Sequence, residues 1–299
     1  MILPTISIIT PSFNQGKFIE RTIKSVLSQS HKPLEYLIFD GGSNDKTIEI
    51  LKKWRKYLTY VSEKDDGQAA AVNRGFNTSS SEIIGWINSD DTYHKDALMN
   101  IALAFKKNPE LDVIYGRALH IDEDDNIINE YKTAYWDKDL LLHQCFICQP
   151  ALFFRRSVLQ KAGLLDQDLN FCMDYEYWIR LSRSGCQFGY MKEILANSRL
   201  YKENKTLFNR PAVHKEIVEM LKKETGWVSL HWIKAYASTI IRSKVNDTNT
   251  LSFIYHLIKL TIRMQWKYNK TIGFRNMLHL MVAKLKQKYI HNSVLYALK

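Results

Sequence analysis

The sequence predicts an α/β chain, with a mostly parallel sheet flanked by helices and a basic α-helical region after it. Three observations predict it. Short β-branched and aromatic runs alternate with stretches of helical apolar spacing through the body of the chain. That alternation favours parallel pairing with helices on both faces of the sheet. Four of the runs end in polar clusters: PSFN, DGGSND, SEKDDGQ and NSDD. The charge then changes character, because residues 1–199 carry 24 Lys and Arg against 26 Asp and Glu, while residues 200–299 carry 18 against 5. This asymmetry divides the chain into a body, 1–225, and a basic tail, 226–299.

The elements follow in order. ISIIT (6–10) reads as a buried strand, PSFNQG as a loop, and FIERTIKSVLSQ as a helix with apolar residues at 19, 23, 26 and 27. YLIFD (36–40) is the second strand, KTIEILKKW the second helix and YVSE the third strand. QAAAVNRGF is a short helix with Gly75 placed to end it. EIIGWINSDD is a fourth strand running into acids, and DALMNIALAFKKN a helix closed by Asn108 and Pro109. VIYGRALHI and IINEYKT flank DEDDN (122–126), whose turn chemistry makes a hairpin with a solvated tip. FCMDYEYWIRLSRSG (171–185) is helical. In the tail, three amphipathic patterns appear, the last with apolar positions 274, 277, 278, 281, 282 and 285.

Composition is that of a globular chain of one or two domains: 299 residues, 45% hydrophobic and 24% charged. MILPTISIIT has neither a basic leader nor a small-residue cleavage site, and no window of about 18 residues lacks charge. Neither a secretory signal nor a spanning helix is therefore expected. Four cysteines are too few for a disulfide scaffold at this length, so the expectation is a reduced, cytoplasmic protein. Cys145 and Cys148 form a lone C-x-x-C and read as two small apolar residues of a buried stretch.

In parallel α/β sheets ligands bind beyond the carboxyl ends of the strands, so the four polar clusters converge on one edge. NSDD (88–91) leaves short oxygen ligands in a loop. A hard cation such as Mg²⁺ or Mn²⁺ takes a few carboxylates and leaves positions for water and phosphate. Asp90 is the main candidate ligand, with Asn88 and Asp91 beside it. The same residues also suit a helix N-cap, and the two roles are compatible. Asp40, Asp66 and Asn73 suit the donors of a base or ribose, although Asn73 reads equally as a buried amide. Asp45 reads as a helix cap. Asp174 and Glu176 are either first-turn acids favoured by the helix dipole or, for Asp174, a general base. The basic tail fits an anionic membrane surface or packing against the body, and it carries no nucleic-acid recognition motif. The absence of G-x-G-x-x-G after a strand excludes a Rossmann dehydrogenase. A sugar nucleotidyltransferase would need a glycine-rich basic loop where PSFNQGKF stands.

Seven stretches then stand in one order: ISIITPSFNQ, DGGSNDKT, SEKDDGQAAAVNRGF, GWINSDDTY, CQPALFFRRSVLQKAGLLDQ, MDYEYWIRL and SRLYKENKT. Over residues 5–206 they resemble the family 2 glycosyltransferases of bacterial polysaccharide and lipopolysaccharide synthesis. The resemblance implies a GT-A (Rossmann-like) fold, a nucleotide-diphosphate sugar donor (UDP by family habit), Mn²⁺ or Mg²⁺, and inversion at the anomeric carbon. It places Pro11, Ser12, Asn14, Asp40, Asp66, Asn73, Asn88, Ser89 and Asp90 at the nucleotide sugar. Asp90 and Asp91 become the metal ligands and Asp174 the catalytic base. Gln149, Glu176, Arg199 and Lys205 fall on the acceptor or phosphate side. It also implies a glycan or polyprenyl-diphosphate-linked acceptor, which would bring the protein to the inner face of the plasma membrane through 226–299. Two positions depart from the family pattern: Asn88 replaces the first acid of D-x-D, and Tyr201 stands where a histidine is common. A catalytically inactive scaffold that binds membrane or a partner through its tail is the alternative.

Overall fold

The computed structural model describes residues 2–244 and 250–270. The chain divides after Glu216 into two compact units. The third tail pattern, 274–285, lies outside the described residues.

The first unit is built on a nine-stranded sheet. Strands β1 (Ile6–Ser12), β2 (Glu35–Asp40), β3 (Thr59–Ser62) and β4 (Ile83–Trp86) form the parallel block in the order β3-β2-β1-β4. Every residue of β1 is buried, as expected of a strand covered on both faces. Helices α1 (Ile19–Leu27), α2 (Thr47–Trp54) and α3 (Gln68–Thr78) connect these strands. Register then fixes the site. Ser12 pairs with Asp40, and Asp40 with Ser62, so three strands end flush. Trp86 at the end of β4 sits opposite Ile9.

The sheet continues through β5 (Thr92–Tyr93), α4 (Ala97–Lys107), the hairpin β6 (Val113–Ile121) and β7 (Ile127–Glu130), and the short helix α5 (Lys138–Leu141). Strand β8 (Leu152–Arg155), helix α6 (Val158–Ala162), helix α7 (Met173–Arg183) and strand β9 (Phe188–Arg199) follow. The full order is β3-β2-β1-β4-β8-β6-β9-β5. β8 runs antiparallel to both β4 and β6, whereas β6 and β9 are parallel. The start of β8 therefore lies at the same edge as the ends of β1 to β4. Helix α8 (Lys205–Phe208) closes this unit together with the first part of α9 (Arg210–Thr225). All four cysteines are free, and burial pushes the Cys145 thiol up to about 12, as suits packing residues.

In the second unit, α10 (Leu230–Lys244) and α11 (Thr250–Asn269) run antiparallel. The Asn269 side chain donates to the Val228 carbonyl and accepts from its N–H, closing the end of α11 on the start of α10. Ile233, Ala237 and Ile241 on one helix, with Leu257, Met264 and Tyr268 on the other, are buried. Among the described residues no helix is long and apolar enough to cross a membrane.

Gly75 does not end α3, which runs on to Thr78. Its value is the absence of a side chain: a Cβ there would meet Ile9 Cγ2 at 2.3 Å, so the helix lies directly against β1. Gly75→Ala should lower stability by about 1–3 kcal/mol through overpacking, even though alanine is the better helix former. Urea melts of the two proteins check this, and an unchanged midpoint would show that α3 can lift away freely.

Candidate active site

A cleft of about 800 Å³ opens where β1 to β4 end and β8 begins. Its first wall is the pair of loops after β1 and β2, and each acid of DGGSND has a structural task there. Asp40, 2% exposed, accepts from Gly42 N–H, Ser43 N–H, Ser43 Oγ and Ser62 Oγ, and so shapes its own turn. Asp45 takes the N–H of Thr47 at 2.9 Å, as a helix-capping acid should, and the N–H of Gly16 at 2.8 Å. Asn14 completes the latch. At φ +52° it accepts from Asn44 N–H and donates its own N–H to Ser43 Oγ. Gly41 and Gly42 line the cleft together with Pro11, Ser12, Lys64 and Asp65.

The floor is the NSDD loop after β4. Asn88 Oδ1 accepts from Trp86 Nε1 at 3.1 Å and from Gln68 Nε2 at 2.8 Å. Asp90 Oδ2 accepts from the Tyr201 hydroxyl at 2.9 Å, which in turn takes a bond from Gln15 Nε2. Asp91 is 4% exposed, and its Oδ1 takes the Arg199 N–H. Burial raises the proton affinity of both acids, and the Asp90 charge adds to the rise at Asp91.

The opposite wall comes from α7 and the segment after β9. Asp174 stands in the first turn of α7 and accepts the N–H of Tyr175. Burial raises its pKa from 3.8 to about 6, and the Glu216 charge adds to the shift. Glu216 also fixes the approach to the helix. Its carboxylate receives three successive backbone N–H groups, those of Asn170, Phe171 and Cys172. Lys205 lines the same wall with its ammonium 5.5 Å from the centre of the Phe171 ring.

Of the residues expected at the site, Pro11, Ser12, Asn88, Ser89, Asp90, Gln149, Asp174 and Lys205 line this cleft. Others do not, each for a visible reason. Asn14 and Asp40 hold the loops together. Asp66 is exposed, and its neighbour Asp65 lines the cleft instead. The Asn73 amide is 3% exposed and pairs both ways with the Leu165 backbone, at 2.9 and 2.8 Å. Asp91 is turned inward to the Arg199 backbone. Glu176 makes a two-point ion pair with Arg180. Arg199, fully buried, reaches the Asp90 and Asp122 carbonyls and the Asp125 carboxylate. That last contact also revises the hairpin tip. Residues 122–126 are not merely solvated, because Arg21 and Arg199 both hold Asp125, and Lys17 holds Glu123.

Sequence reasoning passed over Gln68, Trp86, Phe171 and Glu216. Gln68 and Trp86 stand inside quoted motifs, but only their donor groups, seen against Asn88, reveal a role. Glu216 had no local signal, since its partners lie more than 40 residues away. For a divalent cation the donor set is spare. Among the described residues there is no group of three or more His, Cys, Asp or Glu that could hold one. Asp90 alone offers a carboxylate to the cleft floor, which fits a hard ion whose other ligands are diphosphate and water.

The same architecture occurs in known glycosyltransferases. The Staphylococcus aureus TarS structure in complex with UDP-GlcNAc superposes with TM-score 0.59 at 14% identity, covering 88% of this chain and 81% of that one. A mannosyltransferase from Pyrobaculum calidifontis, in complex with GDP-Man and Mn²⁺, gives 0.60 at 15%, covering 95% and 81%. The fold is thus GT-A. Residues 7–163 match the family described as Glycosyl transferase family 2. The chain belongs to that family. Chondroitin synthase of Escherichia coli is 28% identical over 209 residues, which are 69% of this chain and 30% of that protein. An uncharacterized glycosyltransferase of Rickettsia typhi is 26% identical over 211 residues, 66% of this chain and 64% of that protein. The chain thus spans less than two thirds of either relative.

Proposed function

We propose that the cleft transfers a sugar from a nucleotide-diphosphate donor, a UDP-sugar, to a hydroxyl of a glycan or lipid-linked glycan, with inversion. Cell-surface polysaccharide synthesis is the setting such an acceptor implies. The observation that carries this reading is Asp174: a half-buried carboxyl, its pKa raised to about 6, opening on the same cleft as Asp90. The complexes of the fold relatives with UDP-GlcNAc and with GDP-Man and Mn²⁺ support the donor class.

The loops after β1, β2 and β3 form the nucleotide end, with Pro11, Ser12, Gly41 and Asp65 around the base and ribose. Their latching before the ligand arrives spares part of the ordering cost of binding. Asp90 would hold a Mn²⁺ or Mg²⁺ ion on the diphosphate, and such an ion supplies Lewis-acid stabilisation of the leaving group. Lys205 approaches from the other wall as a counter-charge. Asp174 takes the proton from the acceptor hydroxyl while that oxygen bonds to the anomeric carbon. The bond from that carbon to the diphosphate oxygen breaks, and the nucleoside diphosphate leaves. One displacement inverts the centre. A base of pKa about 6 is ionised at neutral pH yet still basic enough to accept the proton.

The basic tail supports a membrane-facing role. Along α11, Tyr255, Lys259, Arg263, Trp266 and Lys267 are all exposed, and neither α10 nor α11 contains an acid. Cations interleaved with interfacial aromatics suit the headgroups of an anionic bilayer. The full chain should sediment with vesicles containing phosphatidylglycerol and not with phosphatidylcholine alone. Lys259→Glu, Arg263→Glu and Lys267→Glu together should abolish that. Undiminished sedimentation of the triple variant would remove α11 as the anchor.

Two further experiments test the catalytic reading. Calorimetric titration of UDP, GDP and dTDP, with and without Mn²⁺, should give metal-dependent binding of one nucleotide, lost in Asp90→Ala. Failure of all three to bind would leave the inactive-scaffold alternative standing. Asp174→Asn should lower turnover by about 10²–10⁴-fold. In the wild type, kcat/KM should fall tenfold per pH unit below about 6, where Asp174 is protonated. The stability effect has the opposite sense. The folded chain holds this proton more tightly than the unfolded chain, so its contribution is full below about 4 and is lost as pH rises through about 6. At pH 7, Asp174→Asn should therefore melt at a higher temperature while failing to turn over. A variant with near-normal transfer would remove Asp174 from the mechanism.

A further inference from the structure

Trp86 fixes the orientation of two amides at the floor of the cleft. Its indole N–H can only donate, so the Asn88 atom it meets at 3.1 Å is the carbonyl oxygen. Its backbone carbonyl can only accept, so the Gln149 atom 2.6 Å from it is the amide nitrogen. The other end of Gln149, Oε1, is then an acceptor whose position is settled by the fold. It is buried without a hydrogen-bond partner, in a residue 8% exposed that lines the cleft. Such an atom is expensive to leave unpaired, because it has lost its water without gaining a partner. A ligand that brings a donor recovers that cost.

The chemistry of the donor substrate selects which group this is. A diphosphate carries acceptors only at neutral pH, so it has nothing to give Gln149 Oε1. Base and ribose have donors but lie elsewhere. Gln149 directly precedes β8, and β8 is separated from β2, which carries the DGGSND loop, by β4 and β1. Three strand spacings amount to about 14 Å. What remains beyond the diphosphate is the sugar. Ser12 Oγ is the other buried, unpaired polar side-chain atom among the described cleft-lining residues. As a hydroxyl it both donates and accepts, so it discriminates little.

We infer that Gln149 is a specificity-determining residue that accepts a hydrogen bond from one hydroxyl of the transferred sugar while that sugar is still on its nucleotide. The inference rests on the nucleotide-sugar reading of the cleft and adds to it the group that reads the sugar. A site built on a fixed acceptor rejects sugars lacking that hydroxyl, because they leave the acceptor buried and unpaired.

The test is calorimetric and uses no acceptor, so any effect belongs to the donor. The probe is whichever of UDP-glucose, UDP-galactose, UDP-N-acetylglucosamine and GDP-mannose binds best, with its monodeoxy analogues and the corresponding bare nucleoside diphosphate. In the wild type one analogue should bind about 3- to 10-fold more weakly than its parent, the worth of one neutral hydrogen bond. In Gln149→Leu that same analogue should bind as well as the parent, and the bare nucleotide should bind as it does to wild type. Gln149→Met has nearly the same shape and no oxygen acceptor, and it should lose the sensitivity in the same way, which covers a leucine variant that misfolds. Equal deficits for every analogue in all three proteins would overturn the role of Gln149 alone. A fall in bare-nucleotide binding matching that of the sugar nucleotide would do the same, making Gln149 a support for Trp86. If the folded wild type binds none of the four donors, the reading of the cleft fails, and this inference with it.

Discussion

The cleft edge of the sheet depends on one buried cation. Arg199 is fully enclosed, and a guanidinium removed from water is tolerated only when its donors are met. Its Nε donates to the Asp90 carbonyl at 2.7 Å, one Nη to the Asp122 carbonyl at 2.6 Å, and the other to Asp125 at 2.5 Å. Its plane lies 4.9 Å from the centre of the Phe18 ring. Four separate pieces of chain thus meet on one side chain: the end of β9, the NSDD loop, the hairpin tip and the start of α1. The backbone N–H of the same residue holds the buried Asp91 carboxylate, with the Asn88 side chain as a second partner. Arg199 therefore does not reach for a substrate. It holds the NSDD loop still.

The same economy explains why the motifs were legible and the roles of their members were less so. The alternation of strand and helix up to Trp86, and the polar clusters at the strand ends, came from local spacing alone. The flush register of Ser12, Asp40 and Ser62 turned those clusters into one wall. Asp90 and Asp174 each carry two readings in the sequence, ligand or cap for the one and general base or first-turn acid for the other, and only the resemblance to the family chooses between them. Sequence could not separate a polar side chain facing the cleft from one facing its neighbour. Asn73 and Glu176 look like ligands on paper, yet Asn73 clamps the Leu165 backbone and Glu176 pairs with Arg180 one turn along α7. β8 and β9 were missed because their partners are distant in the chain, and no local period tells an antiparallel neighbour from a parallel one.

Most polar groups around the cleft are already occupied by one another, and this gives the few unoccupied ones their meaning. Asp40, Asp45, Asn14, Asp91 and Glu216 each meet backbone N–H groups, which freezes the loops before any ligand arrives. Preorganised walls of this kind let charge and hydrogen bonding act at fixed distances. Charged groups lining the space include Asp65, Asp90, Asp174, Glu203 and Lys205, and the Ser12 hydroxyl and Gln149 Oε1 are buried in its lining without partners. They differ chemically from one another: carboxylates, an ammonium, a hydroxyl and an amide oxygen.

Asn88 shows how burial shapes a motif. Family 2 patterns place an acid at this position, yet Asp90 and Asp91 already carry raised proton affinities from burial and, at Asp91, from their mutual repulsion. A third carboxylate beside them would be pushed toward its neutral form by the same two effects. Two donors, Trp86 Nε1 and Gln68 Nε2, converge on the oxygen at 88, so the position needs an acceptor of carboxamide or carboxylate shape. Asparagine supplies the shape without the charge. The loop keeps its geometry, the amide end of Asn88 remains a donor, and the burden of negative charge at the cleft floor falls on Asp90. The replacement thus relieves the electrostatics of the loop, and it leaves Asp90, held by Tyr201, as the carboxylate of the cleft floor.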